Sequence, residues 1–135
     1  MAYPITDIDG IDRAAAAILK SAKIRSTASL LAAAGTAKGR KALAEKTGFP
    51  ERQLLDWANV ADRMRVKGIS KEYAALLCAA GVDTVKELKY RNPANLAKAM
   101  ADAYKKRKLV RVLPSEKLVA RWIECAKGLE LKIRY

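Results

Sequence analysis

The feature that most constrains the fold of this chain is an internal repeat. Ile8-Asp-Gly-Ile11 matches Val66-Lys-Gly-Ile69 at an offset of 58 residues, and the register then holds over more than 20 residues. The further matches are Ala16 with Ala74, Ile18-Leu19 with Leu76-Leu77, Ala22 with Ala80, Ile24 with Val82, Ser26 with Thr84 and Leu30 with Leu88. Trp57 and Ala61 align with Trp122 and Ala126 at an offset of 65, so seven residues are inserted around positions 105–112. A repeat of this size predicts a duplicated unit whose two copies pack together.

Helical periodicity dominates both copies. In residues 54–64, for example, apolar residues recur every three or four positions, which predicts one buried helical face. Polar capping residues, Pro and Gly divide each copy into four such segments, with predicted starts at Asp12, Ser26, Thr36, Pro50, Ser70, Thr84, Asn92 and Pro114. The sequence therefore predicts an all-α protein of two tandem four-helix units packed as one compact domain: residues 1–65, residues 66–128 and an extended C-terminal tail, 129–135.

The tail departs from this pattern, because apolar and charged residues alternate from Leu129 to Tyr135. Alternation is the period of a strand, and residues 109–112 are the only other strand-like segment. We expect the two segments to pair as a short β-ribbon, or the tail to dock as an extended edge.

The charge of the chain favours a polyanionic partner. Lys and Arg number 27 against 14 acidic residues, a formal net charge of +13. Nucleic acid, an anionic membrane surface and an acidic protein are the partners that such a charge attracts. The alternative is a soluble surface that is simply basic.

One turn in the second copy has the residues to bind phosphate. Residues 66–77 follow an amphipathic helix with a tight turn at Gly68, the apolar plug Ile69, and Ala74, which allows the next helix to approach closely. This pattern resembles the helix-hairpin-helix family of DNA-binding elements. The resemblance implies that backbone amides at the turn and at the following helix N-terminus meet a DNA phosphate, which the helix dipole also favours. Contacts of this kind do not read sequence.

Nearly the whole chain also resembles the bacterial domain-of-unknown-function family 4332. The residues that carry this resemblance are Trp57-Ala-Asn-Val-Ala-Asp62, Lys67-Gly-Ile-Ser70, Tyr73-Ala-Ala-Leu-Leu77, Ala80-Gly-Val-Asp-Thr-Val85, Glu87-Leu88 and Trp122-Ile123. The resemblance implies a helical fold with helix-hairpin-helix-like repeats and brings no established activity.

The two hairpins differ where a phosphate would lie. The second Gly of the helix-hairpin-helix pattern is Ser70 in the second copy, between Lys67 and Lys71, and Asp12 in the first. Together with Asp7 and Asp9, Asp12 makes the first turn acidic, so we expect that turn to be structural and its carboxylates to cap the helix rather than hold a metal. For the second turn two interpretations stay open: phosphate binding by Lys67, Gly68, Ser70 and Lys71, or a simple corner between packed helices.

The densest run of positive charge is residues 105–111. Lys105, Lys106, Arg107, Lys108 and Arg111 either bind phosphates or complement the dipole at a solvated helix end. Lys38, Arg40 and Lys41 form a weaker cluster of the same kind. The large aromatic residues lie on apolar helical faces, which argues against a stacking platform for single strands.

The residue inventory argues against an enzyme and against a cofactor. The chain contains no His, and it has no Gly-rich phosphate loop, no nucleophile elbow and no metal-ligand spacing. We expect a non-catalytic module that binds double-stranded DNA through its phosphates without sequence specificity. The alternative is a helical adaptor whose basic face meets an acidic protein or a second copy of the chain. The absence of a leader-like or membrane-spanning pattern predicts a cytoplasmic protein.

Overall fold

The computed structural model describes residues 3–108 and 110–135 and is all-helical. In the part of the chain that the structure describes, a short 3-10 helix, Ile5–Asp7, precedes eight α-helices whose order and starts agree with the sequence prediction. They are α1 (Arg13–Ser21), α2 (Thr27–Ala34), α3 (Ala37–Thr47), α4 (Glu51–Arg63), α5 (Lys71–Ala79), α6 (Val85–Lys89), α7 (Pro93–Lys106) and α8 (Glu116–Lys127).

Polar side chains cap most of these helices as their sequence positions predict. Thr36, Thr84, Asn92 and Ser115 each accept a hydrogen bond from the backbone amide three residues later. Each cap satisfies one amide that the first turn of a helix leaves without a partner. Capping therefore explains why these helices begin where they do.

The backbone hydrogen bonds repeat at the offset of the sequence repeat. Ile11 donates to the Ile8 carbonyl and Ile69 to the Val66 carbonyl, both at 3.1 Å. The ends of α1 and α5 also match, since Ile24 donates to the Leu19 carbonyl and Val82 to the Leu77 carbonyl, both at 2.9 Å. The repeat is thus present in the chain path as well as in residue type.

One cluster of buried apolar side chains runs through both units. It includes Leu19 and Leu54 from the first unit and Leu76 and Trp122 from the second. Helix α4 joins the units, because it packs on α2 and α3 of its own unit and on α5 and α6 of the other.

The predicted pairing of the tail with residues 109–112 is wrong for the part that the structure describes. Residues 110–112 and 129–135 form no strand, and Leu109 lies outside the described residues. The tail docks instead on the first unit, which agrees with the other alternative that the sequence left open, a docked tail. The amide of Arg134 donates to the Gly35 carbonyl at 2.6 Å, and Arg65 donates to the Glu130 carbonyl at 2.8 Å.

Arg40 explains why the tail docks there. Its side chain is buried and donates to the Ala34 carbonyl at 2.9 Å and to the Arg134 carbonyl at 2.7 Å. The guanidinium therefore joins the end of α2 to the tail. The tail carbonyls of Glu130 and Arg134 accept hydrogen bonds from arginine side chains rather than from a strand partner. The prediction of a surface cluster made of Lys38, Arg40 and Lys41 is wrong for Arg40, whereas the two lysines are exposed.

Candidate nucleic-acid interface

The turn between α4 and α5 has the features that the sequence predicts. Lys67 is exposed, Ile69 is fully buried, and Gly68 has a φ of +93°, in the left-handed region. The preceding amides of Arg65 and Val66 donate to carbonyls three residues back. The chain thus reverses direction tightly, with Ile69 in the core and Lys67 in solvent.

A tryptophan supports this turn, a contact that sequence reasoning missed. A Cβ atom on Gly68 would lie 3.0 Å from the indole Nε1 of Trp122, which is fully buried. In the first unit, a Cβ atom on Gly10 would lie 3.4 Å from the indole Nε1 of Trp57. The sequence did contain a signal for this contact, because the repeat aligns both the glycines and the tryptophans. Alignment alone does not reveal that they touch.

The N-terminus of α5 differs from that of its counterpart α1. In α1 the Asp12 carboxylate accepts a hydrogen bond from the amide of Ala15 at 2.8 Å. Ser70 occupies the same position in α5, but its side chain makes no capping hydrogen bond, so the expectation that Ser70 caps this helix is wrong. The first amides of α5 therefore lack a side-chain acceptor from Ser70, beside the exposed Lys71.

The basic run lies at the end of α7. Lys105 and Lys106 form its last turn and Arg107 follows it. All the cations predicted for this site between residues 105 and 111 are exposed: Lys105, Lys106, Arg107, Lys108 and Arg111. This placement suits both interpretations of the run, phosphate binding and complementation of the helix dipole.

The fold brings the hairpin and the basic run together. Lys71 and Arg107 line the same cavity, of about 260 Å³. The Tyr73 hydroxyl, one turn into α5, donates to the Val112 carbonyl at 3.0 Å. Helix α5 also packs on α7. Lys67 and Gly68 instead line a smaller hollow of about 200 Å³ beside Tyr3, so the predicted residues surround α5 rather than converge on one pocket.

Comparison with known proteins places the chain in a family. The family model for a domain of unknown function, DUF4332, matches residues 9–129. The chain belongs to this family. No curated protein and no solved structure matches it.

In this DUF4332 chain the acidic first turn lies close to the basic second one. A cavity of about 620 Å³ is lined by Asp7, Asp9 and Asp12 on one side and by Lys71 and Glu72 on the other. Among the described residues no group of His, Cys, Asp and Glu side chains could hold a metal ion. Asp9 also lines the cavity that contains Lys71 and Arg107. These carboxylates make the potential around Lys71 more negative, whereas no acidic residue in the described part of the chain lines the hollow at Lys67.

Arg63 is a second residue whose place in the DUF4332 chain could not be predicted. It aligns with Ile5 of the first unit and is 3% exposed. Its guanidinium donates to the Asp83 carbonyl, and burial lowers its pKa. Arg63 lines the cavity that also contains Lys71 and Arg107. The Arg63 side chain is too deeply buried to bind a macromolecule. Its hydrogen bond to the Asp83 carbonyl positions the loop before α6.

The helices of the DUF4332 chain are short. Within residues 3–108 and 110–135, none is long and apolar enough to cross a membrane.

Proposed function

We propose that this protein is a non-catalytic module that binds double-stranded DNA through backbone phosphates, without strong sequence preference. The observation that carries the proposal is the N-terminus of α5, which Ser70 leaves uncapped between the exposed Lys67 and Lys71. Free amides, the positive end of the helix dipole and two ammonium groups together favour an anion at this point.

The basic run supplies a second set of phosphate contacts in this proposal. It lies at the end of α7, which packs on α5, and contributes Lys105, Lys106, Arg107, Lys108 and Arg111. Cations spread over such a surface can follow a duplex backbone, and each phosphate contact releases counterions on binding. The affinity is then electrostatic and falls steeply with salt.

Duplex DNA suits the surface better than a single strand. Trp57 and Trp122 are buried, and Tyr73 and Tyr104 pack against the core. Single-strand binders need exposed aromatic rings on which bases stack. The side chains around α5 offer charge rather than such a stacking platform.

The first test replaces the two hairpin lysines. We expect Lys67→Ala with Lys71→Ala to weaken binding to unrelated duplexes alike, and to reduce the slope of log affinity against log salt by about 2. Fluorescence anisotropy across a salt series measures both quantities. The matched control is Lys38→Ala with Lys41→Ala, which removes the same charge from exposed positions on α3, a helix that packs on α2 and α4.

Two outcomes would contradict the proposal at different levels. Equal affinity and slope in the hairpin variant and the wild type would exclude a role for the hairpin. Failure of the wild type to bind any duplex at low salt would exclude DNA as the partner. The basic surface would then serve an acidic protein or a second copy of the chain, the adaptor function that the charge also permits.

A further inference from the structure

The connection between α7 and α8 is longer than the matching connection of the first unit. In the first unit residues 48–50 join α3 to α4, whereas in the second unit residues 107–115 join α7 to α8. The first unit forms the same helices in the same order with the shorter connection. The longer connection is therefore not required to build a four-helix unit, and its composition calls for a separate explanation.

This connection presents two exposed apolar side chains beside a run of cations. Val112 is 68% exposed and Leu113 is 39% exposed. No acidic residue occurs between Asp102 and Glu116, whereas five cations lie in positions 105–111. Single exposed apolar residues are common on protein surfaces, but these two are adjacent and follow a run that contains only positive charges, which favours contact with a polyanion.

The backbone beside Val112 and Leu113 is held in place. Val110 and Pro114, on either side, are buried. The Val112 carbonyl accepts a hydrogen bond from the Tyr73 hydroxyl at 3.0 Å. The Tyr73 ring in turn lies 5.1 Å from the Trp122 ring, centroid to centroid, and Trp122 supports the hairpin turn at Gly68. The exposed pair therefore has a fixed position relative to the proposed phosphate site.

We propose that Val112 and Leu113 form an apolar wedge that enters the DNA minor groove and partly unstacks a base step when the hairpin and the basic run hold the phosphates. The inference rests on the proposed function and adds a binding mode to it. Proteins that bend DNA from the minor groove insert apolar side chains of this kind between base pairs, and the bent duplex then contacts more protein surface. The phosphate contacts supply the affinity, so one or two side chains are enough for the wedge.

An anionic membrane is the other polyanion that could accept this pair. A single myristoyl chain gives only marginal membrane binding, and a valine and a leucine side chain together contain far fewer carbon atoms. The described residues also include no helix that combines a basic face with a broad exposed apolar one: the large exposed apolar side chains besides this pair are scattered, namely Ile18, Tyr90, Leu131 and Tyr135. Duplex DNA therefore fits the pair better.

The test separates unstacking and bending from affinity. A duplex of about 25 base pairs carries 2-aminopurine at a flexible TA step and a donor and an acceptor dye at its ends. We expect the wild type to raise 2-aminopurine fluorescence and to increase energy transfer, corresponding to a bend of about 20–90°. Val112→Ala with Leu113→Ala should abolish both changes while the dissociation constant stays within about threefold, because the phosphate contacts remain.

The matched control removes a similar amount of exposed apolar surface elsewhere. Ile18 and Leu131 are 41% and 58% exposed, so Ile18→Ala with Leu131→Ala should leave both signals unchanged. A thermal melt of each variant confirms folding, which surface truncations of this kind preserve.

The outcomes distinguish this inference from the function on which it rests. Absence of duplex binding by the wild type defeats the proposed function itself. Duplex binding without unstacking or bending, or equal signals from the wedge variant and the wild type, overturns the wedge alone. Flotation with vesicles containing phosphatidylserine, lost in the wedge variant while its DNA signals stay unchanged, would assign the pair to a membrane and also overturn it.

Discussion

At the residue scale, Lys23 has a strained backbone at a position where the residue 58 places later is a glycine. Its φ is +67°, in the left-handed region, where the aligned residue of the second unit is Gly81 with a φ of +94°. Both residues end a helix in the same way, since Lys23 donates to the Lys20 carbonyl and Gly81 to the Cys78 carbonyl, each at 3.0 Å. A side chain in this conformation brings Cβ close to the following carbonyl oxygen, whereas glycine avoids that contact.

We therefore expect Lys23→Gly to stabilise the protein. The relief of backbone strain outweighs the larger entropy of the unfolded glycine, and the expected gain is about 0.5–1 kcal/mol, or about 2–4 °C in Tm. Urea unfolding followed by circular dichroism measures it. Gly81→Ala is the reverse experiment, and it should destabilise by about 1 kcal/mol because a Cβ there meets no neighbouring atom and only the backbone conformation changes. A loss of stability in Lys23→Gly would refute the strain argument.

Capping shows where residue-level prediction stops. Asp12 and Ser70 hold the same position before α1 and α5, and both residue types are good N-caps. The Asp12 side chain caps its helix, whereas the Ser70 side chain does not. Residue type fixes the position at which a helix begins. It does not fix the rotamer of the capping side chain, which depends on tertiary neighbours, and the candidate anion site at α5 depends on that rotamer.

At the element scale, the two turns that precede α1 and α5 have the same construction but differ in how well they tolerate a side chain in place of glycine. Each turn has a glycine of positive φ placed against a tryptophan from the last helix of its own unit, Gly10 against Trp57 and Gly68 against Trp122. The indole of Trp122 is fully buried, whereas Trp57 is 4% exposed. A Cβ atom would lie 3.0 Å from the indole nitrogen at Gly68 and 3.4 Å from it at Gly10, so the second turn has less room for a side chain than the first.

This difference predicts unequal effects of the same substitution. Gly10→Ala should cost about 1–2 kcal/mol, the penalty of a left-handed alanine, because its Cβ would sit at an ordinary contact distance. Gly68→Ala should cost about 1 kcal/mol more, since its Cβ would lie 3.0 Å from an indole that cannot move aside. Urea unfolding of both variants gives the two values. Equal losses of unfolding free energy in the two variants would mean that the Trp122 contact adds no cost to Gly68→Ala.

Elements with local signals could be predicted, and those with distant partners could not. All eight helices follow from periodicity, caps, Pro and Gly, which act within a few residues. Alternation, which is also a local signal, predicted that the tail would pair with residues 109–112 or dock as an extended edge. The real partners of the tail, Gly35, Arg40 and Arg65, lie far away in sequence. The sequence does not show which carbonyls a buried arginine on a helix will bind.

At the scale of the whole molecule, the sequence predicts the components of the candidate site but not their arrangement. The lysines at 67 and 71 and the cations at 105–111 could be singled out by charge and motif. Lys71 and Arg107 line one cavity because α5 packs on α7, whereas Lys67 lies in a separate hollow. Asp7, Asp9 and Asp12, about 60 residues away in the sequence, line a cavity together with Lys71. Charge counts cannot show that one side of α5 is acidic.

The packing of the two units also determines how the protein should unfold. Helix α4 contacts helices of both units, and one apolar cluster includes buried residues of each. Exposing either unit alone would leave the apolar face of α4 in water. A single cooperative transition is therefore expected, as in most single domains of this size.

The two tryptophans make this prediction measurable, because each unit contains one. Trp122→Phe leaves Trp57 as a reporter of the first unit, and Trp57→Phe leaves Trp122 as a reporter of the second. Within each variant, the urea midpoint of tryptophan emission should coincide with the midpoint of helix loss by circular dichroism. If the units were independent lobes, a difference of about 1 kcal/mol between their stabilities would separate the midpoints by about 0.5 M, for a slope of about 2 kcal/mol/M. Such a separation would show that the contacts of α4 with α5 and α6 do not couple the two units.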